Sequence, residues 1–319
     1  MNDAVVTNIE DLNKKPEPKP EQTESKIEGI NIVQGDSSHS EPIEITEPPQ
    51  LETPPEPKID IPQNATATFS LRDANLLKKL FEAIHRLEDE ATFKVELDAL
   101  CITNMNPSRT SMIDYTVKKE YFDEWHVTTL GACCFNIEEV LKIALSKLKK
   151  DTPITVKIDG VAGNITFTMQ EGRIRERTFP LLEVSQQVLD TPKPHLTFNA
   201  TIKVEAKKWQ EDMEDIEKVS DHITLTATNE MVIVKAQGDV VKGENKYQRG
   251  SDVLLDLEVR EESKAIYSLN ALTDEIKIDP TLCDIAILEF STDLPIRITM
   301  RTPFGDLYSY LAPRIETEE

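Results

Sequence analysis

An internal repeat is the sequence feature that most restricts the fold of this chain. Four segments of the first half resemble segments of the second half that lie 131 residues further along, in the same order. In the first half these segments are Ala99–Thr103, Asn136–Leu141, Ile154–Ile158 and Thr166–Met169. Their counterparts are Glu230–Val234, Tyr267–Leu272, Asp284–Glu289 and Arg297–Met300. Because several anchors share one offset, the sequence predicts two tandem copies of one domain.

Each copy combines two helices with many short strands. Apolar residues recur at helical spacing through Arg72–Glu90, and Asn136 is a suitable N-cap for a second helix, with Glu139 three positions on. In the second copy, the helices are marked by Trp209, Met213 and Ile216, and by Ile266, Leu269, Leu272 and Ile276. The remaining segments alternate between apolar and polar residues, as half-buried strands do. This order predicts an α+β fold with the helices on one face of largely antiparallel sheets.

The predicted domain boundaries follow from composition. Residues 1–65 hold ten of the 19 prolines and 14 acidic residues against five lysines, which predicts a disordered acidic tail. Residues 179–197 contain Pro180, Pro192 and Pro194, which predict an extended connector. The two domains are predicted at 66–178 and 198–316, followed by a short tail at 317–319.

Composition argues against several functional classes. The formal net charge of −22 opposes the coating of a polyanion, although a locally basic surface is still compatible with nucleic acid. The sequence has neither a phosphate-binding loop nor the histidine spacing of a metal site, so we expect no enzyme, no cofactor and no metal. Four cysteines, interpreted as reduced, and the lack of a signal peptide or membrane span predict a soluble intracellular protein.

Several motifs resemble those of the DNA sliding clamp family, which includes the proliferating cell nuclear antigens (PCNA) of eukaryotes and archaea. The matching segments are Leu77–Ile84, Ile102–Arg109, Asp293–Ile296 and the C-terminal Leu311–Glu316. Asn106 and Arg109 depart from the family pattern, which usually has Asp and His at these positions. The resemblance is archaeal-like, covers about Thr68–Glu316 and leaves out the N-terminal tail.

The resemblance implies a ring of subunits, a trimer, that encircles duplex DNA without reading its sequence. In this family the sheets form the outside of the ring and the helices line the hole. The clamp is not an enzyme, and serves as a processivity factor for DNA polymerase in replication and repair. The expected partners are duplex DNA, DNA polymerase, the clamp loader, other proteins with short clamp-binding motifs, and identical or paralogous subunits, but no membrane. The expected location is the cytoplasm and nucleoid, or the nucleus in a eukaryote.

A partner-binding pocket is the first site that the resemblance implies. Its expected residues are Met105, Met112, Leu189, Pro295, Leu311, Ala312 and Pro313. An apolar depression beside an extended connector suits a short helical or aromatic plug, and methionine adapts to several partners. The alternative is that Met105 and Met112 are ordinary core residues.

Basic residues on the helices are expected to face the DNA phosphates. Arg72, Lys79 and Arg86 are seven residues apart and therefore share one side of a helix. The full set is Arg72, Lys78, Lys79, Arg86, Lys142, Lys147, Lys149 and Lys150. A solvated helix face, with lysines that suit a helix C-terminus, explains the same residues without DNA.

The second copy departs from this pattern. Its first helix carries three lysines against five acidic residues, and Glu211 and Glu214 stand where clamps commonly have basic residues. This predicts weak, salt-sensitive DNA binding, by a diverged paralogue in a mixed ring or by a clamp that grips DNA mainly through its first domain. It also favours an alternative function, a clamp-like adaptor or regulatory subunit of a heteromeric ring that binds proteins more than DNA.

Ring closure is expected to come from strand addition between subunits, which also covers exposed sheet edges. By family position, Gly172–Thr178 of one subunit pairs with a strand near Lys242–Gln248 of the next. The expected interface residues are Arg173, Arg175, Arg177 and Lys246.

Overall fold

The computed structural model describes residues 64–149, 151–184, 194 and 196–314. The predicted N-terminal tail, apart from its last two residues, lies outside the described residues. So do Lys150, Leu189, most of the connector and the last five residues.

The first copy contains nine strands, two helices that pack on the sheets and a short 3-10 helix, Lys119–Tyr121, among the described residues. The strands are β1 (Thr66–Leu71), β2 (Glu90–Val95), β3 (Ala99–Met105), β4 (Ser111–Lys118), β5 (Glu124–Thr129), β6 (Gly131–Asn136), β7 (Ile154–Asp159), β8 (Asn164–Gln170) and β9 (Ile174–Pro180). Helix α1 is Ala74–His85, and α2 consists of an α-helical turn, Ile137–Glu139, followed by a wider π-type turn, Val140–Ala144. The Asn136 side chain accepts from the Glu139 amide at 2.8 Å, which confirms the predicted cap.

The second copy repeats this inventory. Its strands are β10 (Ala200–Glu205), β11 (His222–Ala227), β12 (Met231–Gln237), β13 (Lys242–Gln248), β14 (Leu254–Val259), β15 (Ser263–Ser268), β16 (Ile285–Phe290), β17 (Ile296–Thr302) and β18 (Gly305–Leu311). Helix α3 is Ala206–Ile216 and the π-type turn α4 is Ala271–Glu275. No helix within the described ranges is long and apolar enough to cross a membrane.

The strand order of the two copies is the same, which confirms the duplication and the α+β class. In the first copy the sheets run β5-β1-β7-β8-β9 and β6-β2-β3-β4, and in the second they run β14-β10-β16-β17-β18 and β15-β11-β12-β13. Antiparallel pairing of β18 with β4 joins a sheet of one copy to a sheet of the other. The result is one continuous nine-stranded sheet.

The repeat is offset by 132 residues over most of its length, so the predicted offset of 131 is one residue short. On the buried faces, Leu100 of β3 corresponds to Val232 of β12, and Leu77 of α1 corresponds to Trp209 of α3. The offset of 131 aligned Leu100 with Met231, which belongs to the opposite face of β12. Because side chains alternate along a strand, an error of one residue exchanges the two faces of a sheet.

The predicted helices also differ from the observed ones at their ends. Helix α1 begins after Asp73, whose carboxylate accepts from the Asn75 amide at 2.9 Å, so Arg72 precedes the helix. Helix α2 ends at Ala144, and the chain beyond it is held by hydrogen bonds from the Lys149 amide to Glu171 and from the Thr152 hydroxyl to the Lys149 carbonyl. Ile266 was expected in a helix, and it lies in β15.

Apolar packing holds the helices against the sheets. Phe81 of α1 contacts the rings of Phe93, Phe135 and Phe167, with centroid distances of 5.7 to 6.1 Å. In the second copy Trp209, Met213 and Ile216 form the buried face of α3, as predicted. Each such side chain contributes roughly 1.5–3 kcal/mol when it is fully buried.

Polar contacts between the copies surround the β4–β18 pairing. Arg86, which caps the C-terminus of α1, forms an ion pair with Asp279 at 2.7 Å, and the Lys79 ammonium of α1 donates to the Thr281 carbonyl at 3.0 Å. Burial raises the pKa of the Asp279 carboxyl, but hydrogen bonds from Arg86 and Thr281 outweigh this effect and hold the pKa below its ordinary value. The ion pair therefore stabilises the junction in its charged form.

Replacing Arg86 with Met is expected to lower the free energy of unfolding by about 2 kcal/mol at pH 7, because Asp279 stays largely buried without its partner. The pKa of Asp279 is depressed in the folded state, so its contribution is present above the unfolded pKa of about 4 and is lost as the pH falls through the folded pKa. Denaturant unfolding at pH 7 and at pH 3 measures both effects.

A matched control is Arg72→Met, which removes an Arg–Asp ion pair of the same 2.7 Å length on the surface, with Asp123. This change is expected to cost less than about 1 kcal/mol. Equal losses for the two variants would contradict a special role for the Arg86–Asp279 pair.

Candidate functional site

We call the pairing of β4 with β18 the internal junction. By the repeat, two strands at the ends of the sheets correspond to β4 and β18 but have no such partner among the described residues. Inside the chain, the fourth strand of the first copy (β4) pairs with the ninth strand of the second (β18), from Leu307 opposite Tyr115 to Leu311 opposite Ser111. The fourth strand of the second copy (β13) and the ninth strand of the first (β9) are end strands in the described sheets. These two strands coincide with the segments that the resemblance assigned to ring closure.

The β9 edge is basic. Arg175 forms an ion pair with Glu171 at 3.0 Å and donates to the Lys147 carbonyl, so its charge is used within the chain. The hydrogen bond from the Lys149 amide is the main cause that holds the pKa of Glu171 below its usual range. Arg173, Arg177, Lys147 and Lys149 are exposed around this pair. We call Arg173, Arg175, Arg177, Lys147 and Lys149 the basic edge.

Carboxylates accompany the β13 edge, and three of them pair with lysines of the same chain: Glu211 with Lys207 at 3.7 Å, and Asp215 with Lys218 and Asp252 with Lys208 at 2.9 Å each. Helix α3 packs against this strand through Trp209 and Tyr247, whose rings lie 5.4 Å apart. We call the acids that accompany them the acidic edge, which consists of Glu211, Asp212, Asp215 and Asp252. Lys246, an expected interface residue, lies in β13 and contacts Glu244 of the same strand at 3.3 Å.

The carboxyl of Asp212 has a raised pKa. Burial raises the pKa of this carboxyl, and Asp215, Asp252 and Glu211 raise it further, against the opposing effect of a hydrogen bond with Tyr247. At the position of Asp212, a negative charge is therefore unfavourable in the isolated chain.

The 132-residue offset relates the charges of the internal junction to those at the open edges: the position of Lys79 becomes acidic and that of Asp279 becomes basic, whereas Lys218 keeps the positive charge of Arg86. Glu211 of α3 occupies the position of Lys79 in α1. Lys147 and Lys149 occupy the positions of Asp279 and Thr281, the two residues that Arg86 and Lys79 contact. Sequence reasoning missed this relation, although the acidic excess of α3 and the arginines of β9 were the available signals.

The described residues of the predicted pocket lie together at the end of the internal junction. Met105 and Met112 pair across the β3–β4 hairpin, and Ser111 pairs with Leu311 of β18. The Ala312 amide donates to the Thr110 carbonyl at 2.8 Å, which fixes the end of β18 to this hairpin.

Asn106 organises the β3–β4 hairpin beside these residues. Its side-chain oxygen accepts from the amides of Thr110 and Ser111 at 2.9 and 3.0 Å. Its amide nitrogen donates to Glu275 of the second copy at 2.9 Å. The departure from Asp to Asn therefore supplies a donor that an ionised Asp lacks.

Burial corrects part of the predicted lining. Met112 is 4% exposed and Leu311 is 2% exposed, so both are core residues, as the alternative interpretation held for Met112. Met105, Pro295, Ala312 and Pro313 are half-buried and can contact a partner. Leu189 lies outside the described residues.

The predicted DNA-facing residues are largely engaged in contacts within the chain. Arg72 lies outside α1 and pairs with Asp123, so the predicted face with Lys79 and Arg86 on one helix is wrong. Lys79 and Arg86 bind the second copy, as described above. The ammonium groups of Lys78 and Lys142 contact Glu82 and Glu138, and Lys147 and Lys149 are exposed beyond the end of α2.

Comparison with known proteins identifies the family. A family model described as the N-terminal domain of proliferating cell nuclear antigen matches residues 68–189. The DNA polymerase sliding clamp of Thermococcus onnurineus is 34% identical over 242 residues, which cover 74% of this chain and 94% of the relative. The chain belongs to the DNA polymerase sliding clamp family.

Other members of the sliding clamp family agree with this assignment. DNA polymerase sliding clamp 1 of Pyrobaculum aerophilum is 28% identical over 245 residues, which cover 76% of this chain and 96% of the relative. A crystal structure of PCNA from Thermococcus kodakaraensis has a TM-score of 0.70 at 22% identity. It covers 78% of this chain and all of the matched chain, and it shows the shared fold.

Replacing Asp212 with Asn is expected to stabilise the isolated chain by roughly a few tenths of a kcal/mol at pH 7, because the site is partly solvent-screened. The folded-state pKa of Asp212 is raised, so the cost of its charge develops as the pH rises from the unfolded pKa through the folded one. The gain is therefore expected to vanish below about pH 4. Thermal unfolding of dilute protein at the two pH values measures the effect.

Asp252→Asn is the matched control, because Lys208 lowers the pKa of Asp252. This variant is expected to show no gain. A gain of the same size for both variants would show that general charge reduction, rather than the position of Asp212, is responsible.

Proposed function

We propose that this chain is the subunit of a sliding clamp, which closes into a ring around duplex DNA and tethers DNA polymerase and other replication or repair proteins to it. The observation that carries the proposal is the β4–β18 pairing, together with the free β13 and β9 edges that correspond to it by the repeat. Pairing β13 of one chain with β9 of the next continues the same junction. Because the contact joins different surfaces, successive chains form a ring when the rotation between them closes, and the resemblance to the clamp family implies that it does. Three chains are expected, as the resemblance implies.

Charge complementarity supports self-association. The acidic edge of one chain faces the basic edge of the next in this arrangement, and Ile174, 73% exposed, supplies an apolar contact on β9. Opposite charges steer encounter and fix the register of the two surfaces. This assigns the acids of α3 to the contact between subunits, and they need not oppose the DNA.

A ring that encircles DNA is retained without strong contacts, and the basic residues of this chain are consistent with such weak binding. Lys78 and Lys142 contact carboxylates within the chain and Lys79 donates to the Thr281 carbonyl, whereas Lys147 and Lys149 lie exposed beyond the end of α2. Such groups offer weak, sequence-independent contacts to phosphates, which allow sliding. We propose a non-catalytic clamp, because its role is mechanical retention on DNA.

Partner proteins are proposed to bind beside Met105, Pro295, Ala312 and Pro313. These half-buried residues lie where the hairpin of the first copy meets the end of β18. A short segment with apolar or aromatic side chains fits such a surface, and Met105 adapts its shape to different occupants. The proposed partners are DNA polymerase, the clamp loader and other proteins with short clamp-binding motifs.

The alternative function is that of a clamp-like adaptor in a heteromeric ring. The acidic residues of α3 favour this function if they contact a paralogous subunit. Retention on DNA distinguishes the two functions. A sliding clamp assembled on nicked circular DNA is expected to co-elute with the circles and to be lost when a restriction enzyme opens them. Equal retention on circular and linear DNA, or no retention on either, would support the adaptor.

A charge exchange tests ring closure by this chain alone. Glu211→Lys and Lys149→Glu each place like charges together, and each is expected to weaken self-association about tenfold. The double variant restores opposite charges and is expected to recover part of the loss. Sedimentation velocity at low and high salt measures the assembly, which is expected to weaken as salt increases.

Glu262→Lys is the control, because it makes the same charge change at an exposed position in the β14–β15 turn, outside both edges. This variant is expected to leave the sedimentation of the assembly unchanged. A wild-type chain that stays monomeric at micromolar concentration would oppose a homomeric ring. Additive losses in the double variant would oppose this pairing of edges.

A further inference from the structure

One imidazole and two carboxylates meet where α1 ends and α2 begins. His85 is the last residue of α1, Asp89 follows it by four positions, and Glu138 lies in the first turn of α2. One ligand atom of each residue lies within 4.8 Å of those of the other two. Within the part of the chain that the structure describes, no other group of three or more His, Cys, Asp or Glu side chains has its ligand atoms this close together.

The imidazole has an unused polar atom within this cluster. His85 Nδ1 is shielded from solvent and forms no hydrogen bond, although Asp89 Oδ1 is 3.3 Å away. Buried polar atoms in folded proteins nearly always have a partner, so an unpaired ring nitrogen beside two carboxylates needs an explanation. A cation bound between the three side chains provides that partner.

The backbone holds the three residues in position. The Ile137 amide donates to the Asp89 carbonyl at 2.8 Å, which joins the segment after α1 to the first turn of α2. The Asn136 cap fixes that turn through the Glu139 amide. Because the ligands lie on elements that are already connected, little backbone ordering is required when an ion binds.

We propose that His85, Asp89 and Glu138 bind a zinc ion, with water completing the coordination shell. Imidazole nitrogen with carboxylate oxygen is a common zinc ligand set, and three protein ligands leave one position for water. Mg²⁺ and Ca²⁺ prefer all-oxygen shells, so the imidazole disfavours them. The spacing of the histidines in the sequence gave no indication of this site, because Glu138 reaches it only through the packing of α2 beside α1.

Zinc competes with a lysine for one of its ligands. The Lys142 ammonium contacts Glu138, and this contact is the main cause that lowers the pKa of that carboxyl. A zinc ion at Glu138 displaces the ammonium, because the two cations repel each other and share the same oxygens. Occupancy of the site therefore changes the environment of Lys142, one of the residues expected to face DNA.

Calorimetric titration of the full chain with Zn²⁺, after treatment with a chelator, tests the proposal. His85→Gln, Asp89→Asn and Glu138→Gln are each expected to weaken binding by at least about tenfold. Lys142→Gln is expected to strengthen binding up to about fivefold, because it removes the competing cation. Mg²⁺ is expected to give no comparable heat.

His222→Gln is the matched control. His222 Nδ1 also contacts a carboxylate, that of Asp221 at 2.6 Å, and its side chain is 39% exposed against 33% for His85. No third ligand completes a group there among the described residues. This variant is expected to bind zinc as the wild type does.

Cobalt substitution distinguishes the proposed site from binding by cysteine. Burial raises the pKa of the Cys133 and Cys283 thiols to about 12, which keeps them protonated and makes them poor ligands. The Co²⁺ complex is expected to lack a sulfur-to-metal charge-transfer band.

The proposal is overturned if zinc does not bind at micromolar concentration, if His85→Gln and His222→Gln have equal effects, or if the cobalt spectrum shows thiolate ligation. Thermal unfolding checks that each variant is folded. Should His85→Gln fail to fold, Asp89→Asn and Glu138→Gln, which change only carboxylates with exposed surface, decide the outcome.

Discussion

Antiparallel pairing between β4 and β18 is the interaction on which the rest of the structure depends. It joins the two copies into one nine-stranded sheet and satisfies backbone groups that otherwise form exposed edges. The ion pair of Arg86 with Asp279 and the contact of Lys79 with Thr281 lie around it. The same pairing fixes the position of Met105, Ala312 and Pro313, because the hairpin and the end of β18 meet only where the copies are joined.

A duplicated domain that pairs its fourth strand with a ninth strand leaves one of each unpaired. Strands β13 and β9 therefore follow from the duplication itself and need no separate explanation. In the proposed ring, opposite charges at these edges add specificity, because the carboxylates of α3 meet the basic edge of another chain. The raised pKa of Asp212 indicates the cost of this arrangement in the isolated chain. In the proposed ring, stability of the subunit and affinity between subunits thus make opposite demands on the same carboxylate.

Sequence patterns were sufficient to predict the duplication, the α+β class and the Asn136 cap, and the resemblance to the clamp family located the two edge strands. These depend on local patterns and on short motifs. The offset error of one residue arose because short strands such as β3 and β12 match almost equally well in two registers. Burial of Leu100 and Val232 resolves the register only once both sheets are known. Lys79 and Arg86 were assigned to DNA because seven-residue spacing does not reveal an acceptor almost 200 positions away.

Amide hydrogen exchange of β9 and β13 tests the central claim most directly. It is measured on the assembled protein and again on protein diluted until it dissociates. If these strands continue the β4–β18 junction between chains, both are protected in the assembly and both lose protection on dilution, while β4 and β18 stay protected throughout. Rapid exchange of β9 and β13 at every concentration, in a protein that nevertheless assembles, would contradict the account.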